Sequence, residues 1–446
     1  MREPITRSCL LQHFSRGFRP HRTPLIGLEY ELLGLLAESG RAAPYDGQEA
    51  SIVSVFDLLC RNYGWHPQGG EPVLELQREG TRITLEPGSQ FELSLRPHST
   101  LAGVDRELRE ILGEVREVSG QVGLRFVPLG MQPLSTPEQI RIIPKERYRI
   151  MTRYLPTRGS MALWMMRATA GMQINLDVDS ADQAARALRT ALSISSPIVA
   201  LLANSPLAGG EATGWMSRRG LTWTDTDPDR CGLPAALLDP AATVESYLDW
   251  ALDAGMFFVV RGDHLCDMTG VSFREYLGGG RSGLTPTIAD WETHLTTLFP
   301  EARLKSYLEL RCADSNQPEL ALAFAALAVG LFYGGPATLA EAQAVAGEWS
   351  AEQRQAFHLD CSRLGLAALA PSGRSAGEIA GELIEVAAGS LEAHRPEERA
   401  FLEPLAAIVR SGRPPAADVL DQWQGRWEQS PATLARELEV RIPSPR

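Results

Sequence analysis

The chain has 446 residues, of which 43 are Lys or Arg and 55 are Asp or Glu, giving a net charge of −12 at pH 7. Apolar residues make up 44% and charged residues 22%, an ordinary globular composition that excludes a disordered acidic tail and a disulfide scaffold. The acidic balance argues against a nucleic-acid partner, and the length allows one large domain or two to three ordinary ones.

Only Lys145 and Lys305 are lysines, and neither follows a glycine. A Walker A loop is therefore absent, and a phosphate ligand would have to be handled by arginine, metal ions and backbone groups. The segment MREPITRSCLLQHFSRGF has no sustained apolar run, so no secretory signal peptide is expected. The longest apolar stretch, 320–333, has the length of a buried helix rather than a membrane span, and no membrane partner is expected. The cysteines at 9, 60, 231, 266, 312 and 361 form no C-x-x-C pair and read as free thiols in a reducing cytoplasm.

In chain order, residues 1–24 read as a short helical lead-in, 25–36 as a strand and 49–62 as an amphipathic helix. TRITLEPGSQFELSLRP reads as strand, Pro-Gly turn and strand. A helix over 99–118 has Ser99 or Thr100 as its cap and Leu101, Val104, Leu108, Ile111 and Leu112 at helical spacing. LRFVPLG is a strand, KERYRIMTRYL a helix, ATAGMQINLDVD a strand, and 181–203 an Ala-rich helix. A Gly- and Asp-rich loop covers 205–232. A helix at 243–254, the strand MFFVVRG, a helix near 287–299 and the strand LKSYLELRC follow. From 317 onward the pattern is helical. The expected organisation is a mixed α+β catalytic part over 1–316 and a helical region over 317–446, the break at ADSNQP being either a domain boundary or a passage to helices on the same sheet.

Alternate strand residues share a face. Glu29 and Glu31 thus fall together, as do Arg82, Thr84 and Glu86; Glu92, Ser94 and Arg96; Gln173, Asn175 and Asp177; and Glu309 and Arg311, with Arg261 on the polar side of its own strand. The opposite faces are apolar. A half-exposed antiparallel sheet also alternates, but a solvated face is usually rich in Lys, Thr and Ser. Six carboxylates crowded on the polar face of these strands would repel unless divalent cations sat among them, and oxygen ligands suit Mg²⁺ or Mn²⁺. Arginines on the same face could grip anionic substrates. Phosphoryl transfer fits such a face.

Other motifs carry less. Gly278, Gly280 and Gly283 have G-x-G-x-x-G spacing without a βαβ context, no histidines are spaced H-E-x-x-H, and Asp225, Asp227 and Asp229 lack the rest of a calcium loop.

The segments GLEYELLG, LEPGSQFELS, MRATAGMQINLD, ANSPLAGG, LTWTDTDPDRCG, FFVVRG, SFREYL and DWETHLTTLFPEARLKSYLELRCAD resemble, in matching order over about 25–335, plant-type glutamate–cysteine ligases, also found in bacteria. The resemblance implies a glutamine-synthetase-like α+β fold, a curved antiparallel sheet backed by helices. It implies ATP-dependent joining of glutamate and cysteine through γ-glutamyl phosphate, the first step towards glutathione or a related thiol. It places Glu31, Glu86 and Glu92 on one Mg²⁺ and Glu29, Asn175 and Glu309 on another. Arg167, Arg261 and Arg311 become catalytic candidates, and Arg219, Trp223, Asp225, Asp227 and Arg230 substrate-binding candidates. Ser89 stands where the family usually has a second glycine, which removes freedom at positive φ and leaves Gly88. A ligase of the same fold with another amine acceptor, or a non-catalytic relative, are the alternatives. Nothing in the sequence specifies an oligomeric state.

Overall fold

The computed structural model describes residues 5–20, 22–47, 50–281 and 283–442. Nine strands build one sheet: β1 (Ile26–Leu36), β2 (His66–Pro67), β3 (Glu75–Arg78), β4 (Thr81–Leu85), β5 (Phe91–Ser94), β6 (Leu124–Val127), β7 (Gly171–Leu176), β8 (Ala302–Leu304) and β9 (Leu308–Asp314). Their order is β8-β9-β7-β1-β5-β4-β3-β2, and β6 pairs with the far half of β1. Every pairing in this sheet is antiparallel.

The period-two pattern decides which face is covered. Ile26, Leu28, Tyr30 and Leu32 of β1 are buried, as are Ile83, Phe91, Leu93, Met172, Ile174 and Leu310. They share one apolar core with the helices Leu101–Gln121, Ala181–Leu201 and Pro318–Tyr333, which pack on the sheet. The helix Leu101–Gln121 starts where Thr100 accepts from Gly103 N at 3.2 Å, and its Leu101, Val104, Leu108, Ile111 and Leu112 are buried at the spacing read from sequence. Thr100 rather than Ser99 is the cap. The apolar segment at 320–333 lies in the buried helix Pro318–Tyr333, opened by Pro318 at its first turn. Among the described residues no single helix is long and apolar enough to cross a membrane.

The passage from sheet to helices is itself buried over 313–316. Asp314 accepts from Asn204 N, Ser205 Oγ and Ser217 Oγ at 2.7–2.9 Å. Asn316 donates to Leu202 O at 2.8 Å and its carbonyl accepts from Tyr30 Oη at 2.7 Å. All six cysteines are free.

Three expectations change. The strand from MFFVVRG is Phe258–Arg261, and among the described residues it pairs only with His264–Asp267, apart from the large sheet. The expected loop over 205–232 contains a short hairpin, Leu207–Ala208 with Glu211–Ala212, and a helix, Arg218–Thr224. The outer strands β2 and β3 extend the sheet beyond the hairpin read from sequence.

Candidate active site

Antiparallel register sorts the polar face into rows across the strands. One row runs Arg303, Glu309, Asn175. The next runs Gln173, Glu29, Ser94, Arg82. The third runs Glu31, Glu92, Thr84, Glu75. Glu31 and Glu92 are therefore direct cross-strand neighbours, an arrangement that repels when both are charged.

A cavity of about 390 Å³ opens on these rows. Its carboxylates are Glu29, Glu31, Glu75, Glu86 and Glu92, and its cations are Arg82, Lys145, Arg147, Arg219, Arg303, Lys305 and Arg311. Positive side chains outnumber negative ones here, in a chain whose net charge is −12, so the cavity suits an anionic ligand. A second space of about 380 Å³ shares Glu29, Arg82, Ser94 and Tyr307 with it and adds Asn175.

Burial and crowding push the carboxyls up. Glu31 rises to about 8 through desolvation and the charges of Glu92 and Glu86. Glu29 rises to about 7 through desolvation, Glu309 and Glu92. Glu92 rises through desolvation and Glu86, while Thr84 and Ser94, which donate to it at 2.9 and 3.1 Å, pull the other way. Glu31 also accepts from Gly171 N at 2.6 Å and from Gln173 at 3.1 Å. Three acids that cannot easily all be charged form a donor set that a divalent cation would relieve. Among the described residues no group of three His, Cys, Asp or Glu is drawn together as a ready-made metal site. Mg²⁺ does not demand one, since it commonly takes one or two carboxylates and completes its shell with water and phosphate oxygens.

Glu309 is placed differently from its expected role as a ligand. It is fully buried; Arg303 donates to it at 2.8 and 3.0 Å, Lys305 lies at 3.0 Å, and Arg311 bonds it as well. Desolvation raises its pKa, but these cations overcome that and hold it well below the carboxylate range. Its oxygens are taken, so it anchors the cationic end of the cavity. Asn175 donates to Glu29 at 2.9 Å and leaves its own Oδ1 buried without a partner.

Of the catalytic candidates, only Arg311 reaches the cavity, where it donates to Gln173 at 2.7 Å. Arg261 does not, because its strand is not in the large sheet; it forks onto Asp290 at 2.6 and 2.8 Å and also holds Tyr276 and the Thr285 carbonyl. Arg167 does not either, and spends its guanidinium on the Pro137 carbonyl at 2.8 Å. Of the substrate candidates, Arg219 and Trp223 line the cavity. Arg219 is tied to the Arg311 and Cys312 carbonyls at 3.0 and 3.2 Å. Trp223 also lines a third cavity, of about 560 Å³. Asp225, Asp227 and Arg230 stand outside the cavity: Asp225 receives Ser160, and Asp227 pairs with Arg230 at 2.7 Å and Arg158 at 3.3 Å. These contacts fasten the 225–230 loop to residues 158–160.

The turn between β4 and β5 forms one rim. Ser89, not Gly88, takes the positive φ, at 69°. Gly88 is demanded by packing, since a Cβ there would sit 2.1 Å from the Arg167 carbonyl oxygen. Gln90 pins the turn by accepting from Gly88 N at 2.7 Å and donating to the Met166 and Thr169 carbonyls.

Sequence reasoning missed Arg303, Arg147, Tyr307 and both lysines as lining residues. The scarcity of lysine was the one available signal.

The family model for glutamate-cysteine ligase family 2 matches residues 25–437. The chain belongs to this family. It is 35% identical over 440 residues to a chloroplastic glutamate–cysteine ligase of Medicago truncatula, covering 98% of the chain and 85% of that protein. It is also 35% identical over 442 residues to glutamate–cysteine ligase B, chloroplastic, of Oryza sativa subsp. japonica, covering 98% and 88%. A solved glutamate–cysteine ligase from Francisella tularensis, in complex with AMP, shares the fold with a TM-score of 0.58 at 12% identity, covering 94% of this chain and 90% of that one. The chain is thus an enzyme, a ligase of the glutamate–cysteine class with the expected curved-sheet fold. The cytoplasmic expectation is corrected: the relatives just named are chloroplastic.

Proposed function

We propose that the chain joins L-glutamate to L-cysteine with ATP, giving γ-glutamylcysteine, ADP and phosphate, as the entry to glutathione or a related thiol. The observation that carries this reading is one cavity lined both by mutually repelling carboxylates in cross-strand register and by seven cationic side chains. In this mechanism an oxygen of the glutamate γ-carboxylate attacks the γ-phosphorus of ATP, the bond to ADP breaks, and an acyl phosphate forms. The cysteine amine then attacks the acyl carbon, phosphate leaves, and the amine loses a proton. No protein nucleophile is needed.

Glu31, Glu86 and Glu92, with Glu29, would hold Mg²⁺ or Mn²⁺, which when bound neutralises charge on the phosphates. The protein's own groups do the positioning. Arg311, backed by Glu309 and Gln173, presents a fixed cation to the transferring phosphoryl group or the substrate carboxylate. Arg219 and Trp223 wall the amino-acid end, Arg219 lying 5.7 Å from the Trp223 ring centroid. The test is ADP release with Mg²⁺-ATP and L-glutamate, with and without each amino acid as acceptor. Stimulation by L-cysteine with a γ-glutamylcysteine mass supports the reading. Stimulation by another amine reassigns the acceptor, and no turnover with any acceptor removes the reading.

A further inference from the structure

Of the 43 cationic residues only two are lysine, and both line the same cavity. Everywhere else arginine serves, including at the surface, where a lysine would do equally well. Both departures from arginine thus fall on one cavity. A lysine is a slim stem ending in a point charge with rotatable donors, whereas arginine is a broad planar fork matched to carboxylates.

The two lysines are in different states. Lys305 is engaged: its ammonium lies 3.0 Å from Glu309 and donates to Tyr307 Oη at 3.3 Å. Lys145 is not. Among the described residues its ammonium has no hydrogen bond and no ion pair, and it only rests 5.6 Å from the centroid of the Tyr148 ring. It sits half-buried on the wall beside Glu86 and Glu92, with Arg147 next to it. An uncommitted cation held partly out of water is placed for a charge that arrives with a ligand. The planar carboxylate of an amino acid is better matched by the arginine forks at the opposite end, Arg311, Arg303 and Arg219. The carboxylate-lined end, where a metal-borne polyphosphate would lie, offers Lys145.

We propose that Lys145 contacts a phosphate oxygen of the nucleotide triphosphate, while Lys305 is a positioning residue that keeps Glu309 in place. This rests on the ligase reading above. The scarcity of lysine makes the test direct, because an amine-acylating reagent has only two ε-amines in the chain to find. The whole enzyme is acylated for timed intervals with an N-hydroxysuccinimide ester, alone, with Mg²⁺-ATP, with L-glutamate, and with inorganic phosphate, and the peptides bearing Lys145 and Lys305 are quantified by mass spectrometry. ADP release with L-glutamate and L-cysteine is measured on the same preparation.

Lys145 is expected to react readily in the free enzyme and about tenfold more slowly under Mg²⁺-ATP, the size of one charge-assisted contact. L-Glutamate should leave it reactive, inorganic phosphate should protect it weakly, and Lys305 should react slowly throughout. Lys145→Met should raise the KM for ATP by about tenfold and leave the KM for glutamate within about twofold, with Lys145→Arg recovering only part. The labelling arm uses unaltered enzyme and stands even if a variant fails to fold. Equal labelling of Lys145 with and without Mg²⁺-ATP, in a preparation that releases ADP, overturns the proposal and leaves the ligase reading intact. Protection by glutamate instead of Mg²⁺-ATP overturns it too. Protection by Mg²⁺-ATP without any ADP release keeps the phosphate contact and removes the ligase reading.

Discussion

Replacing Arg230 by Met tests whether the 225–230 loop is built for stability or for substrate. Arg230 is fully buried, bonds Asp227 at 2.7 Å and the Thr297 carbonyl at 3.1 Å, reaches the Gly255 carbonyl, and lies 4.0 Å from the Phe257 ring centroid. Methionine fills most of the space but leaves Asp227 with Arg158 as its one cation, beside the Asp229 N–H, and two buried carbonyls without the arginine's donors. Removing one partner of a buried pair costs about 3–5 kcal/mol. An unfolding entropy of about 2.1 cal/mol/K per residue comes to roughly 0.9 kcal/mol/K over 446 residues, so the apparent Tm should fall by about 3–5 °C. The KM values for glutamate and cysteine, measured well below that temperature, should stay within about twofold of the parent. Differential scanning calorimetry and steady-state kinetics read the two quantities separately. An unchanged Tm with a tenfold or greater rise (roughly 1.4 kcal/mol) in either KM would refute the reasoning and return Arg230 to the substrate side.

Ser89→Gly should stabilise the fold by about 1 kcal/mol, since glycine takes φ 69° without penalty, whereas Gly88→Ala should cost about 3 kcal/mol because its Cβ meets the Arg167 carbonyl; urea denaturation distinguishes the two signs. Glu31→Gln should raise the Mg²⁺ concentration for half-maximal activity by about tenfold, while the metal-free protein gains stability as repulsion with Glu92 is removed; an unchanged metal requirement would exclude Glu31 as a ligand. Burial holds His294 neutral, its pKa lowered to about 3, with Nε2 donating to the Ala251 carbonyl at 2.7 Å. The unfolded chain takes up that proton near pH 6.5 and the native chain only near 3, so the unfolded state binds more protons between these values. The His294 contribution should be level above about pH 6.5 and fall as the pH drops towards 3, by up to roughly 5 kcal/mol, and His294→Gln should remove that part of the slope in denaturation curves taken across the window.

The central sheet was legible because a strand with one face against helices must alternate, and 26–32, 81–85, 91–94 and 172–177 do so. Arg261 misled. FFVVRG is an apolar, β-prone run, but composition does not say which sheet receives it, and the pairing with His264–Asp267 decided that. Glu309 was rightly set on the polar face; what the pattern lacked was Arg303, which reaches it across the β8–β9 hairpin. Asp225 and Asp227 look like ligands in sequence because their partners, Ser160 and Arg158, lie far away along the chain. The helix Arg218–Thr224 was hidden by loop-like composition, although Ser217, accepting from Gly220 N at 3.0 Å, is an ordinary cap signal. Strands β2 and β3 are short, and the first contains Pro67, so neither period nor propensity announced them.

The passage at 313–317 bears on how this polypeptide could be dissected or rearranged. Hinges, protease nicks and inserted segments concentrate where backbone is exposed and free of partners. Here Asp314 gathers the 204–217 segment, Ser315 donates to the Glu31 carbonyl at 2.5 Å, and Asn316 ties in Leu202 and Tyr30. A scission after 316 would leave those bonds inside one fragment but would sever the network that crosses the cut, Glu398 with Leu101 N and Tyr333 Oη with the Leu25 carbonyl and Asp177 N, so that each half holds buried groups unmet. Complementation from separately produced fragments should therefore fail, whereas a permuted chain opened at an exposed tip such as Gly69–Gly70 would leave that network whole.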